Sequence, residues 1–421
     1  MTAMEGWKAG KLGGLCSIEI GGTPSRSNPD YWDSAKETTN RWVSIRDLNK
    51  RVVSDTAEHI TNFGARHSNV KLQKTGTVLL SFKLSIGRVA FAGCDLYTNE
   101  AIAGLCSEEL DSEFLFYGLQ QWDLLQNVDQ AIKGATLNKE KLKQIEFQYP
   151  VSREVQTHIA SILSTLDRAI EQTEAIIAKQ QRIKAGLMQD LLTKGIDEHG
   201  VIRSEATHQF KDSQLGRIPV EWEIEPLGKV AILVTSGSRG WARFYSTEGA
   251  VFLRIGNLTR EHINFRFDDV MYVNVPESSE GKRTAVQEGD LLISITADLG
   301  IIAVVPEGFP EAYVNQHIAL VRLNKDEVYP RFIGHLLNSG VGQTQIEKLN
   351  ESGAKAGLNL PTIENLKIFR PTYSEQQKIV DILDGVDSQI TIDKKRVDKL
   401  RRQKAGLMHD LLTGTVRVNL H

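Results

Sequence analysis

From Ile159 onward, apolar residues recur at alternating steps of four and three: Ile159, Leu163, Leu166, Ile170, Ile177, Leu187 and Leu191. This spacing predicts a long helix with a coiled-coil stripe. The same phase returns 220 positions later in Ile379, Leu383, Val386, Ile390, Val397, Leu400, Leu407 and Leu411. Neither segment has an internal proline, and Pro150 and Pro371 stand just upstream, where a helix can still begin. Ser152 or Ser374 is the expected N-cap, and Gly195 and Gly414 supply left-handed stops. Each helix is expected to run about 40 residues, or about 60 Å. A helix of that length outgrows a small domain, so its stripe needs a partner, and the other copy is tethered nearby. A duplicated unit closes most simply about a pseudo-twofold axis, which makes the pair antiparallel. Thr173, Asp393, Lys184 and Lys404 interrupt the stripe at matching places. Polar residues on a seam can set register, although lysines at its edge can also snorkel. Gly186 and Gly406 each cost a helix about 1 kcal/mol against alanine, so their repetition predicts close approach by another helix.

The repeat is wider than the stripe. KAGLMQDLLT, Lys184 to Thr193, returns as KAGLMHDLLT, Lys404 to Thr413, with Gln189 against His409 as the single difference. WVSIRDL (Trp42 to Leu48) answers FLRIGNL (Phe252 to Leu258), and GTVLLS (Gly76 to Ser81) answers GDLLIS (Gly289 to Ser294). Strand-like text at Thr77 to Phe82, Arg88 to Phe91, Leu291 to Ile295 and Ile301 to Val305 is separated by glycine turns. Helical text follows at Ser112 to Asn127 and Pro330 to Asn338. The chain therefore reads as α+β, with two similar mixed α/β domains separated by two long antiparallel coiled-coil helices in a pseudo-twofold internal duplication. The expected boundaries are domain 1 at 1–150, long helix 1 at 151–194, a linker at 195–220, domain 2 at 221–370, and long helix 2 with a C-terminal tail at 371–421.

Composition agrees with two cores: 421 residues, 41% hydrophobic, with no apolar run approaching a membrane span. A cytoplasmic protein without a membrane partner is expected. Cys16, Cys94 and Cys106 are odd in number and lack CxxC spacing, which argues against disulfides and structural zinc. The net charge of −3 means that any nucleic-acid contact must rest on local patches, such as Arg41, Arg46, Lys50 and Arg51, or Arg239, Arg243, Arg254 and Arg260. A solvated surface of mixed sign would look the same. Phosphate loops, HExxH and GxSxG are missing, and His59, His67, His262 and His317 show no paired ligand spacing. Asn28-Pro29-Asp30-Tyr31 approaches the NPPY tetrapeptide of amino-methyltransferases, but Asp30 replaces a proline and no cofactor glycine loop accompanies it. Asp393-Lys394-Lys395 fits a loose nuclease element yet lies on the heptad helix. The frameworks of the two halves agree while their loops differ: Gly21 to Asn28 faces Ser236 to Phe244, and Phe82 to Ile86 faces Ile295 to Leu299. One kind of ligand read in two different details would produce that pattern, and so would plain drift.

With the paired KAGLMxDLLT helices, the FKDSQLGRIPVEWEIEPLG passage (Phe210 to Gly228) and SEQQKIVDILD (Ser374 to Asp384), the whole chain resembles the DNA specificity subunits of type I restriction-modification systems. The first copy departs from the last motif, with Arg153-Glu154-Val155-Gln156 in its place. The resemblance implies two target-recognition domains, each reading one half of a split sequence in double-stranded DNA. It implies no catalytic centre and no cofactor in this chain. Two methyltransferase subunits would dock on the helices, with S-adenosylmethionine, ATP and Mg confined to these and to the restriction subunits. The expected DNA contacts are Thr23, Ser25, Arg26, Arg46, Lys83, Ser85, Arg88, Lys133 and Thr136 in the first domain. In the second they are Ser236, Ser238, Arg239, Trp241, Arg243, Arg254, Asn257, Thr296, Asn315 and Lys355. Arginine can take guanine bidentately, asparagine can read adenine, and hydroxyls mostly hold phosphate. Helix-pair packing and partner docking fall to the stripe residues with Gly186 and Gly406. The competing readings are a self-sufficient adenine methyltransferase and a structural coiled-coil adaptor.

Overall fold

The computed structural model describes residues 5–83, 85–125, 137–275, 283–351 and 358–418. It divides into two compact units, residues 1–174 with 395–421 and residues 175–394. Both divisions fall inside a long helix, so each unit holds a globular domain and half of each helix.

In the first unit a five-stranded sheet has the order Ser17–Ile20, Ile102–Cys106, Val78–Ser81, Val89–Ala92, Val52–Val53. A four-stranded sheet has the order Glu58–His59, Arg41–Val43, Leu96–Thr98, Leu72–Gln73, with Trp42 and Val43 parallel to Tyr97 and Thr98. Trp7–Lys11 pairs antiparallel with Glu146–Pro150, joining the start of the domain to its exit. The second unit repeats this plan. One sheet runs Ala231–Ser236, Ile318–Leu323, Leu291–Ser294, Ile302–Val304, and the other runs Tyr245–Ser246, Tyr272–Val273, Ala250–Leu253, Ala312–Val314. Val251 to Leu253 again pairs parallel with Ala312 to Val314, and Glu223–Pro226 closes antiparallel on Lys367–Arg370. The central strands are apolar on both faces because helices Ser112–Gln121 and Pro330–Asn338 cover one face, at Val78 and Leu80 and at Leu291 and Ile293, while the second sheet of each domain covers the other, at Leu79 and Leu292.

One turn shows how closely local chemistry is copied. Ser81 Oγ donates to the Ser85 carbonyl and accepts from Arg88 N at 3.0 Å; Ser294 Oγ donates to the Asp298 carbonyl at 2.5 Å and accepts from Ile301 N at 2.8 Å. Gly87 and Gly300 stand at φ +91° and +78°, a backbone that side-chain-bearing residues rarely adopt.

The long helices run Arg153–Leu191 and Tyr373–Leu412. Within the first unit Asp167 meets Lys404 at 2.5 Å and Glu174 meets Arg401 at 2.6 Å. Within the second, Gln180 meets Asp393 at 2.9 Å and Lys184 meets Asp387 at 2.5 Å. Residue numbers rise along one helix as they fall along the other, so both halves pair antiparallel. Ile159 and Leu163 join Leu411 in the first core, and Leu191 joins Ile379 and Leu383 in the second. The remaining stripe positions are buried or half-buried.

Three expectations need correction. Among the described residues nothing lies within 4 Å of a Cβ built on Gly186 or Gly406, and both are exposed, so neither glycine admits another described helix of this chain. The second helix is capped by Thr372, whose Oγ1 accepts from Glu375 N at 3.3 Å, not by Ser374. Residues 195–220 are more than a tether. They hold the hairpin Phe210–Ser213/Gly216–Pro219, and Arg203 is buried with a 2.5 Å bond to Glu375. Gly195 and Gly414 do adopt left-handed backbone, at φ +65° and +75°.

Candidate nucleic-acid interface

In the first domain two loops meet at one turn. Residues 45–47 form that turn because Asp47 accepts from Ser44 N at 2.8 Å and Ser44 Oγ at 2.7 Å, which leaves Arg46 projecting. Loop 21–28 is pinned by indole donors, Trp42 Nε1 to the Gly22 carbonyl at 2.9 Å and Trp32 Nε1 to the Ser25 carbonyl at 3.1 Å. Arg26 lies 3.8 Å over the Trp32 ring and bonds Glu58 at 2.5 and 3.2 Å. Arg46 reaches the same carboxylate at 2.9 Å. The Arg26 bond, with Arg46 beside it, outweighs burial and holds the Glu58 carboxyl below its ordinary range. Arg88 Nη1 donates to the Ile45 carbonyl at 3.3 Å, which brings the second loop to the turn. Ser85 is exposed, Lys83 rests 5.5 Å over Phe82, and Thr23 Oγ1 donates to Glu100. Arg51, a member of the basic cluster in sequence, turns away to pair with Glu113 and with Asp167 at 3.0 Å.

The second domain arranges its loops differently. Arg283 donates to the Ser236 carbonyl and to Ser238 Oγ, each at 2.8 Å. Arg239 and Arg243 are exposed, Arg243 over Phe244 at 4.7 Å, while Arg254 pairs with Asp269 at 2.7 Å. Thr296 Oγ1 lies 2.6 Å from His317 Nδ1. Three expected contacts are committed to the fold. Trp241 is buried among Phe252, Tyr313 and Phe244. Asn257 accepts from Arg254 N at 2.9 Å and donates to the Asp269 carbonyl at 3.0 Å. Asn315 Oδ1 accepts from His317 N at 3.0 Å, as Asn99 Oδ1 accepts from Ala101 N at 3.1 Å. Lys133, Thr136 and Lys355 lie outside the described residues.

A family model of the type I restriction modification DNA specificity domain matches residues 4–180 and again 219–402. The chain belongs to the type I restriction-modification DNA specificity family. The putative type I restriction enzyme MjaX specificity subunit of Methanocaldococcus jannaschii is 25% identical over 442 residues, covering 98% of this chain and 94% of the relative. The MjaVIII specificity subunit of the same organism is 26% identical over 322 residues, 73% of this chain and 71% of its own. The fold is that of the type I restriction-modification S subunit from M. genitalium, with TM-score 0.60, 16% identity and coverage of 99% and 97%. A second structure, described under complex assembly and conformational transition of the type I R-M system, aligns with TM-score 0.56, 16% identity and coverage of 99% and 100%.

As a specificity-family chain it puts its near-miss motifs to structural use. Asn28 Oδ1 caps the turn Pro29–Tyr31 by accepting from Asp30 N at 3.1 Å, and Asp393 is buried on the helix seam. Among the described residues no helix is long and apolar enough to cross a membrane. Sequence reasoning missed Glu58, Arg283, and two repeated pairs. Gln156 accepts from Asp111 N at 2.7 Å and donates to the Pro150 carbonyl at 2.9 Å; Gln376 accepts from Tyr329 N at 2.8 Å and donates to the Pro371 carbonyl at 3.0 Å. These glutamines lock each long helix to its own domain. Their matching positions were readable, as were those of Asp167 and Asp387.

Proposed function

We propose that this chain is the non-catalytic reader of a type I restriction-modification complex, each recognition domain contacting one half of a bipartite duplex target. The observation that carries the reading is one framework built twice with different loops, in a chain that matches the DNA specificity domain twice. The first domain offers Arg26, Arg46, Arg88, Thr23, Ser25, Lys83 and Ser85; the second offers Arg239, Arg243, Arg254, Ser236, Ser238 and Thr296. Two methyltransferase subunits dock on the long helices and bring S-adenosylmethionine. Restriction subunits bring the ATP- and Mg-dependent work. Gly186 and Gly406 support this docking, because each costs its helix stability, has open space where a Cβ would stand among the described residues and recurs at the same repeat position. The helices set the unread spacer between the half-sites.

Mapping adenine methylation genome-wide, with and without the gene, tests the reading. A two-part motif that vanishes on deletion is expected, with exchange of residues 1–150 for a relative's domain altering one half alone. One heptad inserted in each helix, about 10 Å, should lengthen the spacer by about three base pairs. A motif whose two halves change together, or an undivided one, contradicts independent reading.

A further inference from the structure

We propose that Arg26 and Arg46 form a phosphodiester site on the first recognition domain, and that Glu58 fills this site in the free protein as a built-in anion. The inference rests on the reading of the chain as a DNA specificity subunit and names one contact within it. Two guanidinium groups converge on one carboxylate, Arg26 at 2.5 and 3.2 Å and Arg46 at 2.9 Å. The side chains of Arg26 and Arg46 are 55% and 61% exposed and that of Glu58 28%, so solvent and solutes reach all three. Counted by themselves the three side chains keep one net positive charge, and the Asp47 carboxylate, held by Ser44, also acts on Glu58.

Arg26 lies 3.8 Å over the Trp32 ring, which is itself fixed through the Ser25 carbonyl and an edge contact to Trp42 at 5.0 Å. A guanidinium so restrained loses little further freedom when it changes partner. The forked carboxylate contact is also the geometry in which arginine takes a phosphate. Ser25 and Ser27 flank Arg26, small hydroxyls of the kind that hold backbone phosphates, and Arg88 is anchored one residue from Arg46 at the Ile45 carbonyl. Glu58 stays ionised wherever duplex DNA is stable, so a phosphate must displace it rather than wait for its protonation.

The second domain lacks this arrangement. In the loop facing residues 21–28, Arg239 and Arg243 have no carboxylate within ion-pair distance among the described residues. Glu58 thus penalises the first domain's contact with any duplex, a penalty that is offset once a correctly placed backbone takes both arginines.

The test is fluorescence anisotropy of the full-length protein on a short random-sequence duplex across a salt series. Glu58→Gln is expected to tighten binding about 5- to 10-fold at low salt and to steepen the log–log salt slope by about 0.9, one extra phosphate neutralised. Arg46→Gln should weaken binding more in the Glu58→Gln background than in the parent, because there it is no longer latched. If Glu58→Gln fails circular dichroism, Glu58→Thr, which suits a strand, takes its place. Unchanged or weaker binding on removal of the carboxylate overturns the proposal. Equal binding by the parent and the Arg26→Gln/Arg46→Gln double variant removes the site while leaving the specificity reading intact. Absence of duplex binding by every variant sinks both.

Discussion

The two places where a recognition domain meets the helix pair began as copies and are now wired differently. In the first unit Asp167 takes Lys404 on one oxygen at 2.5 Å and, on the other, Arg51 at 3.0 Å and the Tyr117 hydroxyl at 2.7 Å. In the second, Asp387 takes Lys184 at 2.5 Å, and its other oxygen, buried, has no hydrogen-bond partner among the described residues. The position answering Arg51 is Glu261, whose carbonyl accepts from Lys184 at 2.7 Å and whose carboxylate meets Lys394 at 2.5 Å. Beside Asp387 is a cavity of about 380 Å³, lined in part by Lys184, Glu261 and Lys394. The domain is fastened instead through Asp384, bonded by Arg331 at 2.5 and 2.8 Å and by His335 at 2.8 Å. The lysine–aspartate bridge across the helices survived in both copies because loss of either member strands a buried charge. The contact on the domain side could change, since several donors serve a carboxylate equally well.

The largest test of this comparison is Asp387→Ala against Asp167→Ala. The Lys184–Asp387 pair is 9% and 5% exposed, so stranding the Lys184 ammonium should cost about 3–5 kcal/mol in urea or thermal unfolding. Lys404 and Asp167 are 20% and 16% exposed, and about 1–3 kcal/mol is expected there. Equal losses would show that the two bridges carry the same load despite their different burial.

A smaller effect separates the units by pH. Burial alone would raise the Asp384 carboxyl, but His335 and Arg331 outweigh it and bring it from 3.8 down to about 2. A depressed acid contributes stability that is complete above its ordinary value and lost as pH falls toward the folded one. The second unit should therefore lose stability between about pH 4 and 2, and Asp384→Asn should reduce that dependence, leaving the part carried by the other depressed acids, Asp197 and Glu261. The matching residue in the first unit is Ser164, so no titrating group stands at this point of its helix. An Asp384→Asn protein that loses stability over this window as steeply as the parent would break the distinction.

The smallest effect concerns the seam. Asp393, buried beside Gln180, answers Thr173, and Gln180 answers Leu400. Restoring the first unit's chemistry with Asp393→Thr and Gln180→Leu together should stabilise the second by about 0.5–2 kcal/mol, whereas Asp393→Thr alone should destabilise it. Destabilisation by the double variant would mean that the polar pair does more than hold register.

The long helices and paired domains were legible because periodicity and repetition are properties of order along the chain. Strands such as Val78–Ser81 and Leu291–Ser294 were found within a residue or so, since apolar runs between glycine turns have few alternatives. The recognition residues were less legible. Trp241, Asn257 and Asn315 have the side chains of DNA readers, but an aromatic core and two turn caps claimed them. Arg51 sits in a basic run yet points to the helices. The cost of Gly186 and Gly406 is legible in the sequence, whereas no helix among the described residues approaches either of them.

Linear order alone determined the duplication, the length and phase of the two helices and the family, because each depends on which residue follows which at a fixed interval. Folding decided which charges find partners. Burial and pairing depend on distances between residues far apart in the chain, so only the packed structure could set Asp167 against Lys404, draw Arg51 inward, and bring Arg26 and Arg46 together on Glu58.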